Sequence, residues 1–326
     1  MGSWVLPILR ILHQQCQLDA FPDGGVPNLI ETRVILDASK EMMKMLLIAM
    51  FASAALWAGS AELTRAADLY QRTKYQEAYK LLQPVLGTDP TAHALAGKCQ
   101  YMVGDFKKAA DLFEKAVQLN GLISDHYHWL GRAYGRRAES GNPLIAPHYT
   151  TRARQMFEKA VELDPKNGEA VSDLFDYYLE APGFLGGGLA KAQAMLELIK
   201  SNDQAEYYYA TAQLAQKRKE FNSAEQHLKR AAELAPRQIG RLLDVAKFLA
   251  RQGKFIESES FISKAEKIDP NNPKLLFDRA QTYVIAKKNL PMATKLLEQY
   301  LKADLNPDMP SRAEAEKLLR QARGGA

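Results

Sequence analysis

From residue 62 onward the chain is a succession of apolar-periodic runs of about a dozen residues, each on the three-and-four spacing of a helix with one buried face. The runs come in pairs split by short turns. Tyr208, Ala212, Ala215, Phe221, Ala224, Leu228, Ala231 and Pro236 fall on Leu242, Ala246, Leu249, Phe255, Ser258, Ile262, Ala265 and Pro270 at a constant offset of 34. The residue before a proline is pushed out of helical geometry, so Ala235-Pro236 and Asp269-Pro270 are predicted to end their helices.

The same unit recurs on both sides of that pair. Tyr75, Ala78, Leu82, Val85 and Pro90 close a first unit, whose opening helix is expected near Glu62–Arg72. Gly97, Gly104, Phe106, Ala109, Phe113 and Ala116 mark a second. Gly131 and Tyr134 open a third, closed by Ala153, Phe157, Ala160 and Pro165; its ten extra residues are expected to lengthen the internal turn. A fourth runs from Gly168 to Lys200, with seven extra residues around Ala181–Gly188. A seventh holds Ala280, Tyr283, Ala293 and Leu297, with Tyr300 where alanine is usual. Ser311-Arg312-Ala313-Glu314 is a capping-box start for a last helix.

A 34-residue helix–turn–helix unit with small residues near its positions 8 and 20, large ones near 4, 7, 11, 17 and 24, and proline near 32 resembles the tetratricopeptide repeat. The resemblance covers nearly all of residues 62–323. It implies an all-α, right-handed α-solenoid of about seven helix–turn–helix repeats plus a C-terminal capping helix. It also implies that the first helix of each pair lines a concave face where such proteins meet a peptide. Transferred position by position, that face holds Lys98, Arg132, Gln213 and Lys247, and one turn further on Arg136, Lys217 and Arg251. Tyr101, His128, Trp129, Tyr177, Tyr178 and Tyr209 lie beside them. Guanidinium groups and exposed rings suit a protein partner or an extended acidic peptide. The family's clamp for chaperone C-termini uses asparagines that are missing here.

Upstream of the repeats, Met45–Ala61 is 17 residues without a charge, preceded by Lys44. It is short for a bilayer span and has the layout of a secretory signal, with small residues at Gly59 and Ala61 for cleavage. Residues 43–61 are therefore expected to be a signal, translation to start at Met42 or Met43, and 1–42 to be a non-native or disordered extension. The protein is then exported, to a bacterial periplasm or the cell exterior. Left uncleaved, 45–61 would contact the membrane and anchor the chain in the inner membrane, which suits an assembly factor for an envelope or polysaccharide system.

Composition narrows the chemistry. Of 326 residues, 43 are Lys or Arg and 38 Asp or Glu; a net +5 over this length is too mild and too spread for a nucleic-acid partner. Two cysteines build no disulfide framework, and Cys99 reads as a small buried hydrophobe. His126 and His128 point to different sides of a helix and cannot share a metal. The glycine-rich Gly183–Lys191 stretch lacks the lysine and hydroxyl spacing of a phosphate loop and reads as an enlarged turn. No catalytic motif, cofactor site or metal site is expected; the function read from the sequence is binding.

Overall fold

The computed structural model describes Lys44, residues 61–305 and residues 309–324. The expected signal at 43–61 and the extension at 1–42 lie almost wholly outside these residues. A compact unit spans Ala61–Ala326. Among the described residues it is built of helices alone: α1 (61–71), α2 (Tyr75–Leu82), α3 (Pro90–Met102), α4 (Phe106–Leu119), α5 (Ser124–Ser140), α6 (Ala146–Leu163), α7 (Gly168–Glu180), α8 (Leu189–Asn202), α9 (Gln204–Lys217), α10 (Phe221–Leu234), α11 (Ile239–Arg251), α12 (Phe255–Ile268), α13 (Pro273–Ala286), α14 (Leu290–Tyr300) and α15 (Arg312–Ala322). They form seven consecutive pairs and a terminal helix, an α-solenoid.

Helix starts are written locally. Asp89 accepts from the Thr91 and Ala92 amides and Pro90 takes the first helical position of α3, where its missing N–H costs nothing. Asn167, Asp203 and Asn272 cap α7, α9 and α13 in the same way. Ser311 and Glu314 make both bonds of a capping box at α15.

Small residues let the two helices of a pair close up. A methyl group on Gly97 would lie 2.8 Å from the Phe113 ring, and one on Gly131 2.6 Å from Phe157. The large residue of the second helix occupies the space that the glycine vacates. First helices of successive pairs also touch (α3 with α5, α5 with α7, α7 with α9, α11 with α13), so they form an inner layer. At the end of the stack, Tyr300 stands where alanine is usual because it meets α15, not another repeat. It is fully buried, and its hydroxyl donates to the Pro310 carbonyl. Ala315, Leu318, Leu319 and Ala322 close that core, and the opposite face of α15 is polar.

The two insertions behave differently. In the third pair the extra residues do not make a long turn, as the sequence suggested. They extend both helices, α5 to 17 residues and α6 to 18, and leave only 141–145 between them. Arg137, Ala138 and Glu139 are good helix formers, and Pro147 sits in the first turn of α6, so each helix gains a turn. In the fourth pair the insertion is a true turn. A short 3-10 helix at Gly183–Leu185 is followed by Gly186 at φ +88° and Gly188 at φ +142°, backbone that only glycine adopts at little cost. Gly187 passes so close to Ala181 that a β-carbon would meet its carbonyl oxygen at 1.9 Å.

Candidate binding trough

The inner layer carries three hollows. The first, about 470 Å³, lies between α5, α6 and α7 and is lined by Tyr101, Arg132, Arg136, Phe157, Asp173 and Tyr177, with Glu180 at its edge. The second, about 430 Å³, shares Glu180 and continues over Asp176, Tyr209, Gln213, Gln216, Lys217 and Arg251. The third, about 280 Å³, shares Tyr209, Gln216 and Arg251 and reaches Asp244, Lys247 and Gln281. Shared walls make them one trough, running from α5 to α13.

Most of the residues singled out in the sequence line this trough, but their charges are largely spoken for. Lys98 on α3 bonds to Asp125 on α5 at 2.9 Å. Arg132 on α5 reaches Asp173 (2.9 Å) and Glu169 (3.8 Å) on α7. Lys217 on α9 meets Glu180 on α7 at 2.5 Å. Lys247 on α11 lies 3.4 Å from both Asp244 and Asp278; burial pulls its pKa down, but the two carboxylates outweigh that and hold it above the usual lysine value. Arg241, not singled out in the sequence, is bound to Glu206 and lies over the Tyr209 ring at 4.3 Å. The cations of the expected basic stripe are therefore largely tied into a ladder of ion pairs with carboxylates on neighbouring first helices.

Two cations stand apart. Arg136 lies over the Phe106 ring at 5.0 Å, and its ion pair is with Glu139 of its own helix, 3.5 Å away and exposed. Such a pair is worth little in water. Arg251 is exposed and has no ion pair among the described residues.

The aromatic residues divide. Tyr101 and Tyr177 face the first hollow, and the Tyr177 hydroxyl donates to the Leu185 carbonyl at 2.7 Å. Burial pushes the Tyr209 phenol up to about 12. Trp129 is half-buried between Lys98 and Arg132, 4.9 and 5.0 Å from its ring. Tyr178 belongs to the packing instead: its hydroxyl donates to Glu158 at 2.8 Å, behind the glycine-rich turn. His128 corrects the expectation of a groove residue. It is fully buried against Phe157 and reaches the trough only through Asp173, 2.8 Å from its Nε2.

Sequence reasoning missed the acidic half of the trough, above all Asp176. Its carboxyl is exposed on a concave floor yet hemmed in by protein, with Asp173, Glu206 and Glu180 around it. Desolvation first, then those charges, push it up to about 7, against a bond to Gln213 that favours ionisation. A signal existed: Asp244 and Asp278 are 34 residues apart, the same offset as the apolar positions.

No family model matches the chain. Tetratricopeptide repeat protein 6 of Homo sapiens is 24% identical over 223 residues, covering 60% of this chain and 42% of the human protein, so the chain spans less than half of that relative's length. A solved tetratricopeptide repeat protein from Parabacteroides merdae matches 82% of this chain and 99% of its own, with a TM-score of 0.55 and 13% identity. A thermophilic TPR protein of Thermus thermophilus matches 59% of this chain and 99% of its own, at a TM-score of 0.49 and 21% identity.

Proposed function

We propose that this chain, which has the tetratricopeptide-repeat fold, is a non-catalytic protein–protein interaction scaffold. In this reading it takes an extended segment of a partner protein along the trough from α5 to α13. The observation that supports it is the continuity of the three hollows, which share Glu180, Tyr209, Gln216 and Arg251. A trough already held open by ladders of ion pairs loses little conformational freedom on binding, so contact area gained along several helices translates into affinity.

Preference for acidic segments falls to Arg136 and Arg251, since an incoming carboxylate at Arg132, Lys217 or Lys247 must displace an existing partner. Affinity purification of the tagged full chain, with mass spectrometry of what co-elutes, tests this. The Arg136→Ser, Arg251→Ser double variant is expected to retain its helicity and to lose about ten-fold in capture of the same partner, from two lost charge-assisted contacts of the order of a kcal/mol each at an exposed site. Equal capture by the double variant overturns the acidic preference. Export is part of the proposal and rests on the charge-free run at Met45–Ala61; retention of the chain in the cytosolic fraction overturns it, and a peptide from residues 1–40 in the secreted protein, read by mass spectrometry, overturns the start at Met42 or Met43.

A further inference from the structure

The first hollow differs from the other two in what is left over once its charges are paired. Arg132 is taken by Asp173, Arg136 leans on Glu139, and Glu180 is held by Lys217. The surface that remains is mainly carbon: Tyr101, Phe157 and Tyr177, with Ala138, Ala153 and Ala181, and Gly135 and Thr150 beside them. A cationic side chain entering it would shed water and meet no uncommitted carboxylate, and an acidic one would find only the exposed Arg136, whereas an apolar one gains the full benefit of leaving water.

Both departures from the 34-residue unit converge on this place. Ala138 and Glu139 lie in the extra turn of α5, Thr150 near the start of the lengthened α6, and Ala181 at the entrance to the glycine-rich turn. That turn packs on α6: Gly186 faces Arg154, and a β-carbon there would meet its guanidinium at 2.9 Å. The turns that adjoin the lining helices in sequence, 141–145 and 182–188, also carry large apolar side chains in water. Leu144 is 88% exposed, Phe184 84% and Ile145 47%. Such exposure is ordinary for a single side chain; here three fall on the two turns that continue in sequence from the walls of one hollow.

We infer that the hollow between α5, α6 and α7 is an anchor pocket for one large uncharged apolar side chain, phenylalanine or leucine, of the extended segment bound along the trough, with Leu144, Ile145 and Phe184 of the adjoining turns supplying further apolar contact to that segment. The inference rests on the trough being the binding surface. It adds where the segment is fixed in register and by what kind of residue.

Fluorescence anisotropy on the full chain tests it, using a fluorescein-labelled Gly/Ser/Asp decapeptide whose central residue is Phe, Leu, Ala or Lys. The Phe and Leu peptides are expected to bind at least about ten-fold more tightly than the Ala peptide, the size of effect that burying a large apolar side chain gives. The Lys peptide is expected to bind no better than Ala. Two variants locate the effect. Leu144→Ser with Phe184→Ser removes the two most exposed apolar side chains of the adjoining turns. Ala138→Trp fills the hollow from a half-buried wall. Each is expected to bring the Phe-to-Ala ratio below about three-fold with unchanged circular dichroism.

Equal binding of the Phe and Ala peptides overturns the anchor, as does a preference that survives both variants. Binding that depends on Arg136 and Arg251 but ignores the central residue overturns the anchor and leaves the acidic trough standing. No binding by any of the peptides overturns both.

Discussion

Fully buried His128 on α5 and Asp173 on α7 meet across the boundary between the third and fourth helix pairs, the imidazole Nε2 donating to the carboxylate at 2.8 Å. The same carboxylate accepts from Arg132 at 2.9 Å, which in turn lies over Trp129. One acid thus ties a core side chain to a trough side chain. The two partners are not equivalent. Asp173 is partly exposed and keeps Arg132 if the histidine is removed, whereas His128 has no other acceptor for its Nε2 proton, and its Nδ1 already lacks a partner. Asp173→Ala is therefore expected to cost about 1–3 kcal/mol, the penalty of a buried donor left unmade. His128→Leu, of similar volume, is expected to cost less than about 1 kcal/mol. Thermal unfolding of the two single variants and the double variant checks this: in the His128→Leu background the cost of Asp173→Ala should shrink. Equal costs in both backgrounds would show that the pair contributes nothing.

That relationship also marks the limit of what the chain discloses before folding. The offset of 34 between Tyr208–Pro236 and Leu242–Pro270, the glycines opposite Phe113 and Phe157, and the Ser311–Glu314 capping box are legible because each depends on neighbours a turn or one unit away. His128 and Asp173 are 45 residues apart and meet only because α5 and α7 pack side by side. The insertion in the third pair shifts the simple 34-residue count between them. Lys98, Arg132, Lys217 and Lys247 could be placed on the inner face by position, but their pairing with Asp125, Asp173, Glu180 and Asp278 depends on the stagger between helices, which periodicity does not encode. The ten extra residues of the third pair read as a turn because Gly141-Asn142-Pro143 dominates the local signal; helix-forming residues on both sides settled the matter otherwise.

The glycine-rich turn is a packing device, and its glycines are unequal. Gly187 has no room for a side chain, since a methyl group on it would lie 1.9 Å from the Ala181 carbonyl oxygen, while Gly183 has nothing within 4 Å and ordinary φ. The Gly188 amide donates to the Tyr178 carbonyl at 2.7 Å and the Lys191 ammonium donates to the Gly186 carbonyl at 2.8 Å, tying the turn to the helices on both sides. Gly187→Ala is expected to destabilise the chain by about 1–3 kcal/mol, as overpacking against backbone does. Gly183→Ala is expected to be neutral within about 0.5 kcal/mol. Thermal unfolding, with limited proteolysis between Ala181 and Leu189, reads both. Matching behaviour of the two variants would remove the close approach at Gly187 as the reason for the glycine run.

Asp176 makes stability depend on pH in a direction opposite to that of a salt-bridged acid. Its carboxyl is pushed up to about 7 by desolvation and by Asp173, Glu206 and Glu180, while an unfolded aspartate titrates near 3.9. The folded chain therefore holds the proton more tightly than the unfolded one. Below about pH 4 both states are protonated and the group is indifferent. Between about pH 4 and pH 7 the unfolded state sheds its proton first, so this residue's contribution to stability falls as pH rises, and above pH 7 the charged carboxylate sits among like charges at its full cost. Asp176→Asn keeps a hydrogen-bonding partner for Gln213 and cannot ionise. The variant is expected to melt at a higher temperature than the parent at about pH 8, with the difference closing as pH falls toward 4; the group's exposure to solvent keeps the gap modest. Melting curves from about pH 4 to pH 8 decide the point, and a gap that stays constant across that range would show that Asp176 titrates as an ordinary surface acid.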